Sequence, residues 1–131
     1  MKNLKGVIPA LLTPFKENGT VHEDCLRKIV AWNLSKGVDG FYVCGTTSEV
    51  MLLKQEERKQ IVEIVTDEVK GRAAVICHVG NINTEWSIEL ARHAASRGVD
   101  AISSVPPFYH NFSFYAPNYC FSLPAKWQAA K

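Results

Sequence analysis

An α/β fold with a parallel sheet is predicted for this chain, and three observations predict it. Apolar runs of strand length alternate with helical stretches along most of the sequence. Two of those runs, Gly40 to Cys44 and Ala73 to Cys77, are almost continuously apolar, as strands covered on both faces must be. Third, Lys36-Gly37, Lys70-Gly71 and Arg97-Gly98 each place a cation and then glycine after a helical pattern, the expected helix C-terminal punctuation.

The elements follow in order. The first strand is expected over Gly6 to Leu11, and the first helix from about His22 to Lys36. A second strand, Gly40 to Cys44, leads to a helix over Lys54 to Lys70. In that helix Ile61, Val62, Ile64, Val65 and Val69 form one apolar stripe opposite Glu56, Lys59, Glu63, Asp67 and Lys70. The third strand is Ala73 to Cys77. Its helix runs from Thr84 to Arg97, with Thr84 as the cap and Glu85 favourably placed against the helix dipole. The fourth strand is Ala101 to Val105.

The punctuating glycines fall about 30 residues apart, which is room for one strand, a loop and a helix. Two of them open near-identical phrases, Gly37-Val38-Asp39-Gly40-Phe41 and Gly98-Val99-Asp100-Ala101-Ile102. The sum is a partial (β/α)8 TIM barrel, about the first three and a half βα units. A complete barrel takes about 250 residues, and this chain of 131 is about half that. The barrel half occupies residues 1–114. Residues 115–131 are read as a divergent, irregular tail: Tyr115 to Pro124 has no helical period, and Pro117 and Pro124 oppose the helix due there.

Composition excludes several classes of function. With 47% apolar and 21% charged residues the chain is an ordinary globular domain. A net charge of +2, without any basic block, gives no nucleic-acid signal. No apolar stretch is long enough to span a bilayer, and Met1 to Lys5 lacks the core of a signal peptide, so a cytoplasmic protein is expected. The cysteines Cys25, Cys44, Cys77 and Cys120 show no Cys-x-x-Cys spacing, and Cys44 and Cys77 read as buried free thiols. The histidines form no metal-ligand pair, so no metal is expected.

Chemistry is expected where strands end, the place at which α/β barrels gather their functional residues. Four such places carry polar and aromatic residues: Leu12-Thr13-Pro14-Phe15, Gly45-Thr46-Thr47-Ser48-Glu49, His78-Val79-Gly80-Asn81 and Pro106 to Phe112. The second is the most informative. Gly45 permits an unusual backbone turn, the hydroxyls of Thr46 and Thr47 are adjacent, and backbone N–H groups of such a turn converge on an anion. Taken singly, each place has a structural reading as well. Thr13-Pro14 stops a strand, Thr46 and Thr47 cap a helix, Glu49 holds the turn, His78 is a hydrogen-bonded core group, and Tyr109 packs in an aromatic cluster or at a subunit contact.

Five motifs in this order carry a resemblance: Ala10 to Phe15, Gly37 to Val43, Gly45 to Glu49, His78-Val79-Gly80 and Pro107 to Phe114. Over about Leu4 to Phe114 the chain resembles the dihydrodipicolinate synthase and N-acetylneuraminate lyase family, pyruvate-dependent class I aldolases on an eightfold barrel. Tyr42-Val43 before the turn, His78-Val79-Gly80, and the Pro107-Phe108-Tyr109 segment ending in Phe112-Ser113-Phe114 favour the lyase branch.

The resemblance implies Schiff-base cleavage of sialic acid to N-acetylmannosamine and pyruvate, without metal or organic cofactor, in a homo-oligomer. It implies that Thr46, Thr47 and Ser48 bind the pyruvate carboxylate. It also assigns Thr46 and Tyr109 to the catalytic proton relay, Tyr109 crossing a subunit interface. Ser48 stands where the family prefers glycine, and His110 where a second aromatic is usual. The family's Schiff-base lysine belongs to the sixth strand, which these residues do not reach. No lysine present ends an apolar strand, so a truncated chain, inactive in isolation, is expected. The alternatives are a synthase-like or other pyruvate aldolase, and a non-catalytic half-barrel fragment or interaction module.

Overall fold

A computed structural model of the chain describes residues 4–105. The Pro106 to Phe112 segment, Tyr109 and the tail over 115–131 lie outside the described residues.

Among the described residues three parallel strands and three α-helices alternate. In chain order they are α1 (Glu23–Ser35), β1 (Gly40–Val43), α2 (Gln55–Val69), β2 (Ala74–His78), α3 (Thr84–Ser96) and β3 (Ala101–Ser103). The sheet order is β1-β2-β3. Gly40 lies opposite Ala74, Val43 opposite Cys77, and His78 opposite Ser103. Strands that run parallel in sequence order require a crossover, and α2 and α3 supply it. The architecture is therefore the predicted α/β one.

The helices cover one face of the sheet. Phe41, Val43, Val75 and Cys77 point into that layer and are buried against Leu26 and Val30 of α1, the predicted stripe of α2, and Leu90, Ala91 and Ala94 of α3. Tyr42 and Ile76, one residue out of phase, are half-buried on the other face. This alternation is what a barrel wall needs, with a helical shell outside and a second face within.

The first predicted strand is reduced to a single bridge, Ala10 opposite Tyr42. The cause is Pro9. Around Ala10 the parallel pattern is intact, with Tyr42 N–H donating to the Pro9 carbonyl at 2.9 Å and Leu11 N–H to the Tyr42 carbonyl at 3.0 Å. One step earlier, Gly40 N–H still reaches the Val7 carbonyl at 3.3 Å. The returning bond would have to come from the nitrogen of Pro9, which has no hydrogen. The segment lies beside β1 all the same.

The repeated Gly-Val-Asp phrase proves to be a clamp between neighbouring strands. Asp39 N–H donates to the Val7 carbonyl at 2.9 Å, and its carboxylate accepts the Val7 N–H at 2.7 Å. Asp100 treats Val75 in the same way, with both bonds at 2.9 Å. Each glycine of the phrase sits at positive φ, Gly37 at 77° and Gly98 at 75°, ending its helix as predicted. The third stop uses two left-handed residues, Lys70 at 46° and Gly71 at 76°. One cap differs from expectation. The side chain of Asn83, not Thr84, accepts from Glu85 N–H at 2.9 Å and Trp86 N–H at 3.2 Å, and Thr84 is the first residue inside α3.

Candidate functional site

Beyond Val43 the chain leaves the sheet through a turn bracketed by two strained residues. Cys44 and Glu49 both adopt the left-handed conformation at φ 57°, which costs a residue other than glycine about 1–2 kcal/mol. Between them Gly45 is extended, with φ −83° and ψ −169°, and Thr46–Ser48 form one tight helical turn. The expectation that Gly45 supplies the unusual backbone is thus corrected: its neighbours Cys44 and Glu49 do. Glycine is required at 45 for room. A Cβ there would fall 2.5 Å from Cε1 of Tyr42, inside the ring's contact distance.

The three hydroxyl residues divide their labour. Ser48 is buried, and its Oγ donates to the Leu11 carbonyl at 2.6 Å. Thr13 Oγ1 donates in turn to the Ser48 carbonyl at 2.9 Å. Two bonds therefore staple the turn to the Leu11–Thr13 segment beside β1. Thr46 and Thr47 are exposed, and among the described residues neither hydroxyl has a partner. Their N–H groups open the turn and likewise meet no described acceptor, as first-turn donors do. Ser48, read as a ligand donor, has both its N–H and its hydroxyl committed within the protein.

The wall beside the turn is formed by Tyr42, whose hydroxyl lies 2.6 Å from that of Ser103. The pair ties β1 to β3 across the face opposite the helices. Three of the four predicted rim segments are accordingly brought to one end of the sheet: Thr13, the Gly45–Glu49 turn, and His78–Gly80. The fourth, with Tyr109, lies outside the described residues.

Behind the turn lies a residue that sequence reasoning missed. Arg58, in the first turns of α2, is buried at 3% exposure. Its guanidinium donates to the His78 carbonyl at 2.8 Å and the Gly80 carbonyl at 3.2 Å, while its Nε finds no partner. Burial lowers its pKa, yet a guanidinium stays charged. In the sequence Arg58 is one charged residue of a wholly polar helix start, Gln55 to Gln60, and nothing there distinguishes a buried arginine from an exposed one.

His78 is the hydrogen-bonded core group of the structural reading. It is 3% exposed, and its Nε2 accepts the Val105 N–H at 3.3 Å. Nδ1 makes no hydrogen bond of good geometry. Burial, and then the charge of Arg58, push its pKa below the ordinary value of 6.5, against a weaker upward pull from the Cys44 carbonyl. The ring is therefore neutral near pH 7. Among the described residues no three His, Cys, Asp or Glu side chains are grouped to hold a metal ion.

The sequence profile of the dihydrodipicolinate synthetase family matches residues 3–119. This chain belongs to that family. It is 47% identical to N-acetylneuraminate lyase of Citrobacter koseri over 113 residues, covering 86% of this chain and 38% of that protein. The crystal structure of CdNal from Clostridium difficile in complex with mannosamine superposes with a TM-score of 0.92 at 38% identity, covering 95% of this chain and 43% of that one. A sialic acid aldolase of Ruminococcus gnavus, crystallised as a catalytic lysine mutant, superposes with a TM-score of 0.89 at 36% identity, covering 96% and 42%. The fold is therefore part of the TIM barrel of this family, and the chain spans well under half the length of the relatives it matches.

Proposed function

We propose that this chain carries the carboxylate-binding part of an N-acetylneuraminate lyase-like site and does not by itself perform the covalent step. The observation that carries the reading is the turn after β1. Two left-handed residues hold Thr46 and Thr47 exposed with unspent hydroxyls and N–H groups, over a buried Ser48 anchored to Leu11. Backbone strain persists only where the surroundings over-determine it, and it clusters at ligand clamps. Converging neutral donors at a strand end suit the carboxylate of pyruvate or of open-chain sialic acid.

In this reading Thr46 and Thr47 are the substrate donors and Ser48 is their anchor. Thr46, with Tyr109 from a second subunit, is the relay that moves a proton in the complete enzyme. The complete reaction is Schiff-base retro-aldol cleavage of sialic acid to N-acetylmannosamine and pyruvate in a cytoplasmic homo-oligomer, and no organic cofactor takes part. A nucleophilic amine must be desolvated or lie beside a cation. Among the described residues no lysine lies in a strand or directly after one. In this reading the described residues supply the carboxylate site without the covalent nucleophile.

Two measurements on the full chain test the two halves of the proposal. Titration with pyruvate should shift the amide resonances of Thr46 and Thr47 saturably, and Thr47→Val should weaken that response. Absence of any shift would overturn the carboxylate site. Borohydride reduction in the presence of pyruvate should leave the intact mass unchanged. An adduct on any lysine would overturn the assigned lack of a covalent nucleophile and leave the carboxylate site standing.

A further inference from the structure

The lyase-like reading makes no use of the two thiols buried behind the turn. Cys44 and Cys77 stand on neighbouring strands, with Val43 opposite Cys77 in register, so Cys44 is the diagonal neighbour of Cys77. The left-handed backbone at Cys44 breaks the strand alternation and brings its thiol to the helical side, where Sγ donates to the Arg58 carbonyl at 3.8 Å. Cys77 faces the same layer, and its Sγ donates to the His78 carbonyl at 3.7 Å. Both are free and buried. The Arg58 guanidinium acts on both. Diagonal neighbours on adjacent strands have Cα separations of the order that a disulfide spans, about 4.4–6.8 Å.

We propose that Cys44 and Cys77 form an intramolecular dithiol that a peroxide closes to a disulfide, joining the ends of β1 and β2 directly behind the Gly45–Ser48 turn. The Cys77 thiolate attacks one peroxide oxygen and the O–O bond breaks. The released hydroxide takes up the thiol's proton as water, leaving a sulfenic acid on Cys77. The Cys44 sulfur then attacks the Cys77 sulfur, the S–O bond breaks, and the hydroxide leaves with the Cys44 proton as a second water. Two thiols lose two electrons and one peroxide gains them.

The surroundings divide the roles. Cys77 keeps 3% of its surface exposed, and Cys44 keeps none. Cys77 is thus the attacking sulfur and Cys44 the resolving one.

The test uses the full chain carrying Cys25→Ser and Cys120→Ser, so that only this pair remains. Hydrogen peroxide applied to the folded protein should remove two hydrogen atoms from the intact mass. Peptide mapping should show residues 44 and 77 linked within one chain, and a dithiol reductant should reverse the link. With Cys44→Ser in addition, peroxide should leave a dimedone-reactive sulfenic acid on Cys77. With Cys77→Ser instead, Cys44 should take no label. Survival of both thiols would overturn the proposal, as would a link formed only between chains or only after unfolding in urea. Where a serine at 44 or 77 prevents folding, the cross-link map of the intact pair decides alone.

Discussion

The Ser48 hydroxyl donates to the carbonyl of Leu11 at 2.6 Å, across 37 positions of sequence, and so fastens the turn after β1 to the segment that Pro9 keeps from becoming a full strand. Both groups are buried. Replacing Ser48 by alanine leaves the Leu11 carbonyl without this donor, at a cost of about 1–3 kcal/mol. Urea denaturation should show that loss as a lower midpoint at unchanged slope. Thr13→Val, which removes the donor to the Ser48 carbonyl, should cost about 1 kcal/mol. The double variant should lose less than the sum, because both bonds close the same contact.

Gly45 and Tyr42 make a second local test. Gly45→Ala drives a methyl group to within 2.5 Å of the Tyr42 ring, so the ring must move or the turn must open. Overpacking of this kind costs about 1–3 kcal/mol. In a Tyr42→Ala background the obstruction is gone, and the same substitution at 45 should be close to neutral. A penalty that persisted there would mean that backbone conformation, and not the ring, selects glycine.

Much of this architecture was legible because the physics is local and periodic. The α2 stripe from Ile61 to Val69, the glycine stops at 37, 71 and 98, and the parallel alternation all follow from patterns a few residues long. What was not legible depends on partners far away in sequence. Gly45 reads as a residue of special backbone until the Tyr42 ring is found against it, and the left-handed positions then fall on Cys44 and Glu49, which no propensity favours. Thr84 and Asn83 are both good caps. Only the structure shows that the Asn83 side chain reaches two N–H groups. Ser48 looks like one of three equivalent hydroxyl residues, yet its distance from Leu11 in space separates it from Thr46 and Thr47.

Arg58 illustrates the same limit and yields a sharper prediction. One guanidinium serves the carbonyls of both His78 and Gly80, a fork that a single ammonium cannot reproduce. Arg58→Met removes the charge and both guanidinium donors, those to the His78 and Gly80 carbonyls. A loss of about 2 kcal/mol or more is expected in chemical denaturation. Arg58→Lys should not restore the parent stability. Full recovery with lysine would show that charge alone, and not the two-point geometry, matters at this position.

The surface pairs joining α2 to α3 should matter much less. Glu63 meets both His93 and Arg97, and those contacts, His93 first, hold its pKa below the ordinary carboxylate value. A depressed carboxylate contributes stability above its unfolded pKa, and that contribution is lost as pH falls through the folded one. Because the groups are partly exposed, Glu63→Gln should change stability at pH 7 by under about 1 kcal/mol. A larger effect in a denaturation series would assign the cluster a role in holding the helices together.

His78 sets a pH dependence of a different origin. Its folded pKa lies below the unfolded value of 6.5, because burial and the nearby Arg58 charge disfavour the imidazolium. Below that value the unfolded chain binds a proton that the native ring refuses, so unfolding takes up protons and stability falls as the solution is acidified. Above it the two states carry the same neutral ring and the contribution is flat. Stability measured by urea denaturation should therefore drop from pH 7 toward pH 5, and His78→Gln should show a shallower slope over that interval. An NMR titration supplies the direct check, since the His78 ring resonances should remain those of the neutral form after an exposed histidine has titrated. Protonation of His78 at or above pH 6.5 in the folded chain would show that water or an unpaired acceptor reaches Nδ1, and the buried neutral imidazole beside Arg58 would have to be abandoned.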